Sequence, residues 1–360
     1  MTAVDPATAA RWRLRHLLLT GSTEPDPVAV LRRLAVVQGQ DWLPAQWSLA
    51  QRSARPVTEP ELLAAFDRGE ILRTHVLRPT WHLLTPESIR VALTATADRV
   101  HRLNGHQYRL TGIDDEVARR ARRVLEEVLP GRSLTRAELA EELARAGIEA
   151  AGVRLAHIIM WAELDQVVCS GPVRGRQHTY ALLDERAAPD PGLTVEEARA
   201  RLARVYFATR GPATVRDLAR WASLTITQAR QAAAECDLEE VEVDGRALLV
   251  TRGDEPPPPT GGTEVHLIQT LDEIAMSYSD SRDLTTQGRD WTTGPPTGFF
   301  HGILVDGRLA GHWRYTRDSA GRPDRVETWA YEPFPPAVRD GIAAEVERFG
   351  GYVGRTLTWA

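Results

Sequence analysis

Apolar residues recur at helical spacing early in the chain. The first such run has the spacing of one helix face: Val28, Leu31, Leu34 and Ala35. Asp26 and Pro27 mark the start of this helix. We predict its end near Gly39, because glycine suits the left-handed position that follows a helix.

Two further helices and a pair of short strands follow. Asp41 is placed to cap a helix over 43–52, and the next helix covers 59–68. Strand-like runs at 71–75 and 81–84 then lie on either side of a proline. Three helices followed by a two-stranded hairpin is the order of elements in a winged helix.

The same order returns twice. Thr135 and Glu138 form a capping box at the start of a second set of helices. In the third set, Thr214 precedes an amphipathic helix, and Asp244-Gly245 predicts a hairpin. The two helix starts also match as internal copies: Thr135–Ala140 and Thr214–Ala219. The pattern therefore predicts three tandem winged-helix units.

A stretch rich in proline and glycine separates these units from the rest of the chain. Pro256–Pro259 and Gly261-Gly262 indicate a linker. Short apolar runs follow, and a helix over 336–349 would close them into a small β-barrel or curled sheet. The sequence thus predicts an α+β protein, with three tandem winged-helix units and a C-terminal small β-barrel. The predicted domains are 1–118, 119–190, 191–260 and 261–360.

Composition narrows the class of protein. Of 360 residues, 42% are hydrophobic and 26% charged, which is a globular profile. No apolar run is long enough for a membrane span, and the start lacks the apolar core of a signal peptide, so we expect a cytoplasmic protein. The two cysteines, Cys169 and Cys236, are far apart, and we expect no metal, disulfide or cofactor.

Charge adds two constraints. The net charge is −5, so any surface for nucleic acid must be a local patch. All 44 basic residues are arginine, which leaves no lysine side chain to form a Schiff base.

Basic residues cluster at three places. A turn in the second unit is the best candidate for groove or phosphate contact, although such a turn is often only solvated: Arg174, Arg176, Gln177 and His178. Arg102 belongs to a second basic cluster, whereas the arginines at 119–123 are interpreted as a solvated helix face. His82 is either a packed histidine or a contact to DNA.

Several segments together resemble the winged-helix DNA glycosylases of the AlkZ and YcaQ type. The matching segments cover nearly the whole chain: Leu34–Asp41, Ile71–Leu83, Ser170–Arg186, Gly211–Leu218 and Leu271–Glu273. The resemblance implies a C-shaped array of three winged helices plus a β-barrel, acting on alkylated double-stranded DNA as a monomer.

The resemblance also implies an active site. Gln38-Gly39-Gln40 is similar to the Gln-x-Gln motif of the AlkZ branch, whereas the YcaQ branch has Gln-x-Asp. Two positions depart from the family pattern. Gly39 stands where an aliphatic residue is usual, and Leu271 replaces the tyrosine of a Tyr-Asp-Glu motif.

The two glutamines are the candidate catalytic residues. On a regular helix, side chains at i and i+2 point about 200° apart. We therefore expect Gln38 and Gln40 to converge only because the helix ends there and Gly39 adopts an unusual conformation. Asp41 is the rival catalyst, since a carboxylate can activate water, but its position suits a helix cap equally.

The predicted function is that of a monofunctional DNA glycosylase for bulky N7-alkylated purines, with crosslink unhooking or self-resistance to a DNA-alkylating natural product as further expectations. A carboxamide oxygen can position water beside a base that already carries positive charge. The alternative is a winged-helix transcription regulator without catalysis, because helix-turn-helix units serve both classes. Near Gln38 the sequence offers only Trp42 and Trp47 as aromatics. We therefore expect an open cleft rather than a deep base pocket.

Overall fold

The computed structural model describes residues 2–258, 261–289, 291, 301–317 and 324–360. Two short elements come first: β1 (Thr2–Val4) and α1 (Pro6–His16). The predicted threefold repetition follows. Each repeat contains three helices and a hairpin, and its sheet has a third strand, from a segment just before the second helix or, in the last repeat, from the N-terminus.

Unit 1 (27–84) carries the Gln-x-Gln segment. Its elements are α2 (Pro27–Leu34), β2 (Val36–Gln38), α3 (Trp42–Ala50), α4 (Glu59–Arg68), β3 (Leu72–Val76) and β4 (Thr80–Leu84). The sheet has the order β2-β4-β3, with antiparallel pairs. The Asp26 carboxylate accepts from the Ala29 amide at 2.9 Å and so caps α2, as predicted.

The end of α2 differs from the prediction. The helix stops at Leu34, and Ala35 turns the chain with a φ of 63°. Val36 and Val37 then enter β2 as fully buried, β-branched residues paired with β4. The predicted helix end near Gly39 was wrong, because pairing with a strand more than forty residues away overrides local helical spacing.

Helix α5 (Pro86–Leu110) leads to unit 2 (115–182). The elements of unit 2 are α6 (Asp115–Val128), β5 (Leu134–Thr135), α7 (Arg136–Arg145), α8 (Gly152–Leu164), β6 (Val168–Ser170) and β7 (Thr179–Leu182). Its sheet order, β5-β7-β6, repeats that of unit 1. The predicted capping box is confirmed, since the Thr135 amide and hydroxyl both bond to Glu138. Helix α6 extends across the predicted boundary between residues 118 and 119.

Unit 3 (195–251) follows a single 3-10 turn, Leu183–Glu185. Its elements are α9 (Val195–Arg210), α10 (Val215–Trp221), α11 (Ile226–Ala234), β8 (Leu238–Val243) and β9 (Arg246–Thr251). Asp244 and Gly245 have φ values of 52° and 73°, so the predicted two-residue hairpin is confirmed. The first strand of the chain, β1, pairs in parallel with β8. The N-terminus therefore packs onto unit 3, which the sequence did not predict.

The C-terminal domain (265–359) is built around a five-stranded sheet. Its elements are β10 (Val265–Ile268), α12 (Glu273–Met276), α13 (Asp283–Thr286), β11 (His301–Val305), β12 (Arg308–Thr316), β13 (Asp324–Ala330), α14 (Pro336–Val353) and β14 (Leu357–Trp359). The strands follow chain order from β10 to β14. Within the described residues β10 and β14 are the edge strands and do not pair with each other. The sheet is therefore an open half-barrel, whereas we predicted a small barrel. Pro259, in the predicted linker, lies outside the described residues.

One hydrophobic core runs through the three units and reaches the start of the C-terminal domain. A second core fills the half-barrel and takes in Trp47 and Ala50 from α3 of unit 1. The indole of Trp47 donates to the Leu267 carbonyl at 2.9 Å, so unit 1 and the half-barrel share one interior. In the part of the chain that the structure describes, no helix has both the length and the apolar character needed to cross a bilayer.

A buried ion pair fixes the same junction. Arg52 of unit 1 binds Asp272 of the C-terminal domain through two nitrogens, at 2.6 and 3.0 Å, and both side chains are fully buried. The hydroxyl of Ser48 donates to the same carboxylate at 2.7 Å. Asp272 also caps α12 by accepting from the Ile274 amide. The resulting network holds the first turn of α12 against α3.

We predict that Asp272→Ala lowers the free energy of unfolding by about 3–5 kcal/mol, because it leaves the Arg52 charge buried without a partner. Urea titration followed by circular dichroism measures this loss. The matched control is Glu126→Ala, which removes an exposed partner of Arg122 and costs less than about 1 kcal/mol. Equal losses of unfolding free energy in the two variants would show that the buried Arg52–Asp272 pair does not stabilise the junction.

Candidate active site

Gln38 and Gln40 lie at the end of β2, beside β4. The Gln38 side-chain oxygen accepts from the Thr80 hydroxyl at 3.4 Å, and the Gln40 oxygen accepts from the Trp81 amide at 3.2 Å. The two carboxamides therefore reach adjacent residues of β4. They lie at the end of a strand, and residues i and i+2 of extended chain share a face. The prediction that a helix end brings them together was wrong.

Gly39 is required for close approach rather than for an unusual backbone angle. Its amide donates to the Trp81 carbonyl at 2.8 Å and continues the ladder between β2 and β4. A Cβ atom at this position would lie 3.1 Å from the Leu83 side chain and 3.2 Å from the His82 backbone. Its φ is not in the left-handed region. The glycine allows the two strands to pack more tightly than a residue with a side chain would.

The buried carboxylate of Glu273 binds the Gln38 backbone. The Gln38 amide donates to Glu273 Oε1 at 3.0 Å. The other oxygen, Oε2, accepts from Arg210 at 2.9 Å, from the Trp221 indole at 3.0 Å and from the Ser277 hydroxyl at 2.9 Å. Burial raises the pKa of Glu273, but Arg210 and Arg78 outweigh burial and hold that pKa below its usual value. Glu273 is therefore a fully buried anion, and it joins β2 to unit 3.

Arg73 fixes the backbone on the other side of the motif. Its Nε donates to the Gly39 carbonyl at 2.9 Å, and its Nη2 donates to the Gln40 carbonyl at 3.2 Å. The guanidinium also lies 4.3 Å from the Trp81 ring. Burial lowers the pKa of Arg73 to about 10, which still leaves it charged at neutral pH. Residues 39 and 40 are thus held by one rigid, planar donor group.

His82 is packed inside unit 1. It is fully buried, and its ring nitrogens contact the Thr80 carbonyl at 3.0 Å and Arg78 at 3.2 Å. Burial, reinforced by Arg78, holds the pKa of His82 well below its usual value, so the ring is neutral. The structure thus places His82 as a packed histidine and gives its side chain no exposed surface for a DNA contact.

Asp41 stands at the N-cap position of α3, as expected, but its carboxylate makes no capping hydrogen bond. The residue is exposed. It directly follows Gln40, so a water-activating role for Asp41 stays open.

The predicted DNA-binding hairpin of unit 2 lies near the motif. Arg174 is already paired with Glu138 at 2.7 Å, whereas Arg176 occupies the exposed turn beside Gly175 and makes no hydrogen bond or ion pair with the residues that the structure describes. Gln177 is exposed, and His178 packs edge-on against Trp42 at 4.7 Å.

His178 lies close to Trp42 and to Arg73, which binds the Gln-x-Gln motif. Burial, reinforced by Arg73, lowers its pKa to about 4, so its ring is neutral at physiological pH. Trp42, which it contacts, follows Gln40 by two residues and lies 5.5 Å from the Arg73 guanidinium. Arg102, by contrast, lies exposed on α5, paired with Asp98 at 3.3 Å. The hairpin and the motif therefore share neighbours, and Arg102 belongs to a separate surface.

Neither nearby tryptophan forms a cage over the glutamines. Trp42 packs against Phe66 and His178, and Trp47 is buried against Phe349 and Tyr352. Only 2% of Gln38 is exposed, so the expectation of an open cleft stays a prediction.

Sequence reasoning missed the residues that support the motif. Arg73, Trp81 and Glu273 all fall in segments that carry the family resemblance, but no role followed from their spacing. An arginine directly after Ile71 and Leu72 in a strand-like run is the one local signal of a buried partner.

Comparison with known proteins now identifies the family. A family model described as DNA glycosylase AlkZ-like matches residues 31–352, and the chain belongs to this AlkZ-like DNA glycosylase family. It is 28% identical, over 375 residues, to an interstrand DNA cross-link repair glycosylase of Streptomyces sahachiroi; the match covers 96% of this chain and 94% of that relative. The solved structure of Streptomyces sahachiroi DNA glycosylase AlkZ is similar across both chains, with a TM-score of 0.75 and 22% identity.

These comparisons settle the fold and the class of protein. The fold is that of the AlkZ structure, a mixed α+β architecture with a half-barrel sheet. Membership in a glycosylase family favours the enzyme over the transcription regulator.

We predict that Arg73→Ala reduces kcat for base release from alkylated DNA by about 100-fold, because a shift of the Gln40 segment by about 1 Å misplaces its carboxamide. Added guanidinium ion should restore part of the rate by refilling the donor site. The measurement is single-turnover release of the base at several guanidinium concentrations.

The matched control is Arg90→Ala. Arg90 is another buried arginine, but it binds the Ala187 and Ala188 carbonyls and Asp184, away from the motif. The Arg90→Ala variant should release the base at a rate close to that of wild type, and added guanidinium should change this rate no more than it changes the wild-type rate. A folded Arg73→Ala protein with unchanged kcat, or without any rescue, would show that Arg73 does not position the motif.

Proposed function

We propose that this protein is a monofunctional DNA glycosylase that hydrolyses the N-glycosidic bond of N7-alkylated purines, including bulky adducts and interstrand crosslinks. One observation carries the proposal: in a member of a DNA glycosylase family, two carboxamides converge on one segment of β4, and buried charged groups hold the backbone that carries them. The similarity to the Streptomyces sahachiroi interstrand DNA cross-link repair glycosylase supports the substrate class.

The chemistry suits neutral catalysts. Alkylation at N7 places positive charge on the purine, so the base leaves without a general acid. What remains is to position a water molecule and to stabilise the cation that develops on the sugar. Each glutamine oxygen accepts one hydrogen bond from β4 and keeps a second lone pair for that water or that cation.

The absence of lysine supports a reaction that stops at the abasic site. Strand cleavage through a Schiff base needs an amine nucleophile. All 44 basic side chains are arginine, so no side-chain amine is present. The expected product is therefore an intact strand with one base missing.

The three units are proposed to be winged helices in a C-shaped array around DNA. The support is their common order of three helices and a hairpin. The second strand of each hairpin also has a further partner: β2 pairs with β4, β5 pairs with β7, and Ala213 forms a single bridge to Leu249 of β9. Among the predicted DNA contacts, Arg176 and Gln177 are exposed on the hairpin of unit 2, and we propose them as contacts. Arg174 is given a supporting role because Glu138 already holds it.

We expect the Gln38→Ala/Gln40→Ala double variant to lose base release while it keeps the fold and most of its DNA affinity. Each carboxamide contributes only one weak or moderate hydrogen bond to the fold. The measurement is release of N7-methylguanine from a duplex, with Gln107→Ala as a matched control because Gln107 is exposed on α5.

The second arm of this experiment addresses Asp41. If the double alanine variant releases the base at the wild-type rate and Asp41→Asn does not, catalysis belongs to Asp41. If neither wild type nor variant releases any base, the proposed reaction is wrong.

For DNA affinity, we predict that Arg176→Ala weakens binding to any duplex by about 1 kcal/mol and reduces the salt slope by about one unit, as expected for one lost phosphate contact. Arg174→Ala should weaken binding less, because its guanidinium is engaged with Glu138. Fluorescence anisotropy at several salt concentrations measures both. No effect of Arg176→Ala would remove the hairpin from the interface.

A further inference from the structure

A cleft of about 590 Å³ lies between unit 1 and unit 2. Arg73 and Trp81 form its unit 1 wall. The starts of α7 and α8 and the end of the unit 2 hairpin form the other walls. Neither Gln38 nor Gln40 lines this cleft, so it is distinct from the surface on which the two carboxamides converge.

The lining of the cleft is mainly apolar, with an aromatic and cationic rim. Small and aliphatic side chains, including Ala140 and Leu155, form the apolar part. His178 and Tyr180 join Trp81 as aromatic groups, and Arg136 joins Arg73 as a second cation. Among the residues that the structure describes, no carboxylate lines the cleft, and the positive N-terminal ends of α7 and α8 form part of its wall.

Trp81 is held rigidly at the edge of the cleft. Its ring lies 4.3 Å from the Arg73 guanidinium and 4.4 Å from the His75 ring. His75 in turn pairs with Glu163, which is fully buried on α8 of unit 2. The aromatic wall therefore does not move freely, and it is braced by both units that border the cleft.

The cleft is linked directly to the glutamine pair. Trp81 donates its backbone amide to the Gln40 side chain, and Arg73 donates to the Gly39 and Gln40 carbonyls. A group that enters the cleft thus contacts the two residues that hold Gln40. Arg73 and Trp81 therefore belong both to the wall of the cleft and to the hydrogen bonds around the motif.

We propose that this cleft binds a flat, uncharged aromatic substituent carried by the alkylated base. The inference rests on the proposed function and specifies its substrate class. The two arginines and the helix N-terminal ends repel the cationic purine itself, and an apolar lining is a poor site for a phosphate. An uncharged aromatic ring fits both features, because it buries apolar area and stacks on arginine and aromatic side chains. The volume falls within the usual range for a small-molecule site, about 300–1,000 Å³.

The test fills the cleft and compares a small adduct with a bulky one. Ala137 lies exposed near the start of α7 and lines the cleft, so Ala137→Trp places an indole in it without disturbing the core. Ala144→Trp is the matched control, since Ala144 is exposed two turns further along the same helix and does not line the cleft. The substrates are duplexes carrying N7-methylguanine or N7-(anthracenylmethyl)guanine, and the measurement is kcat/KM for base release.

We expect wild type and Ala144→Trp to release both bases. Ala137→Trp should release the methylated base within about twofold of wild type and lose about tenfold or more on the anthracenylmethyl adduct, the scale on which a filled pocket discriminates. Ala140→Phe, one turn further along the cleft, should reproduce this selective loss if the first variant melts early.

Two outcomes would overturn the inference while leaving the proposed function intact: Ala137→Trp affects neither adduct, or it impairs both equally. Release of only the methylated base by wild type would overturn the inference and restrict the proposed function to small adducts. Release of neither base by wild type would overturn the proposed function and the inference with it.

Discussion

The structure around the glutamine motif depends on one buried anion. Glu273 comes from the C-terminal domain and accepts from the Gln38 amide of unit 1. In unit 3, Arg210 neutralises its charge and the Trp221 indole donates to it. Three parts of the chain that are far apart in sequence therefore meet at one carboxylate. The neighbouring Asp272 forms a second such junction through Arg52. Because a buried charge is costly unless it is fully paired, all these partners must assemble together.

The need to fix backbone groups in one direction explains why buried charged residues lie beneath the glutamine motif. An apolar interior of the same volume would be as stable or more stable, but it would not fix the direction of a backbone amide or carbonyl. Glu273 fixes the amide of Gln38, and Arg73 fixes the carbonyls of Gly39 and Gln40. The backbone of the motif is thus held from both sides. Such preorganisation is what neutral catalysts need, since they supply no strong acid or base. Gln40 is half-buried, whereas only 2% of Gln38 is exposed, so Gln40 is the more accessible of the two glutamines.

The sequence predicted those parts of the fold that local chemistry decides. The capping box at Thr135 and the two-residue turn at Asp244-Gly245 each carry their own signal, and each is confirmed. The end of α2 was predicted wrongly, because Val36 and Val37 are drawn into a strand by β4. The pairing of β1 with β8 joins residues more than two hundred positions apart and leaves no trace in either segment. In the site, the family resemblance indicated the glutamines, but the roles of Arg73 and Glu273 depend on contacts that no spacing rule contains.

The glycine at position 39 sets the separation of two strands. A Cβ there would lie 3.1 Å from the Leu83 side chain and 3.2 Å from the backbone atoms His82 C and Leu83 N. Because two of these three neighbours are backbone, a larger residue requires β4 itself to give way by a few tenths of an ångström. The same strand carries Thr80 and Trp81, the partners of the two carboxamides. The smallest residue of the motif therefore controls how closely its two glutamines approach the groups that orient them.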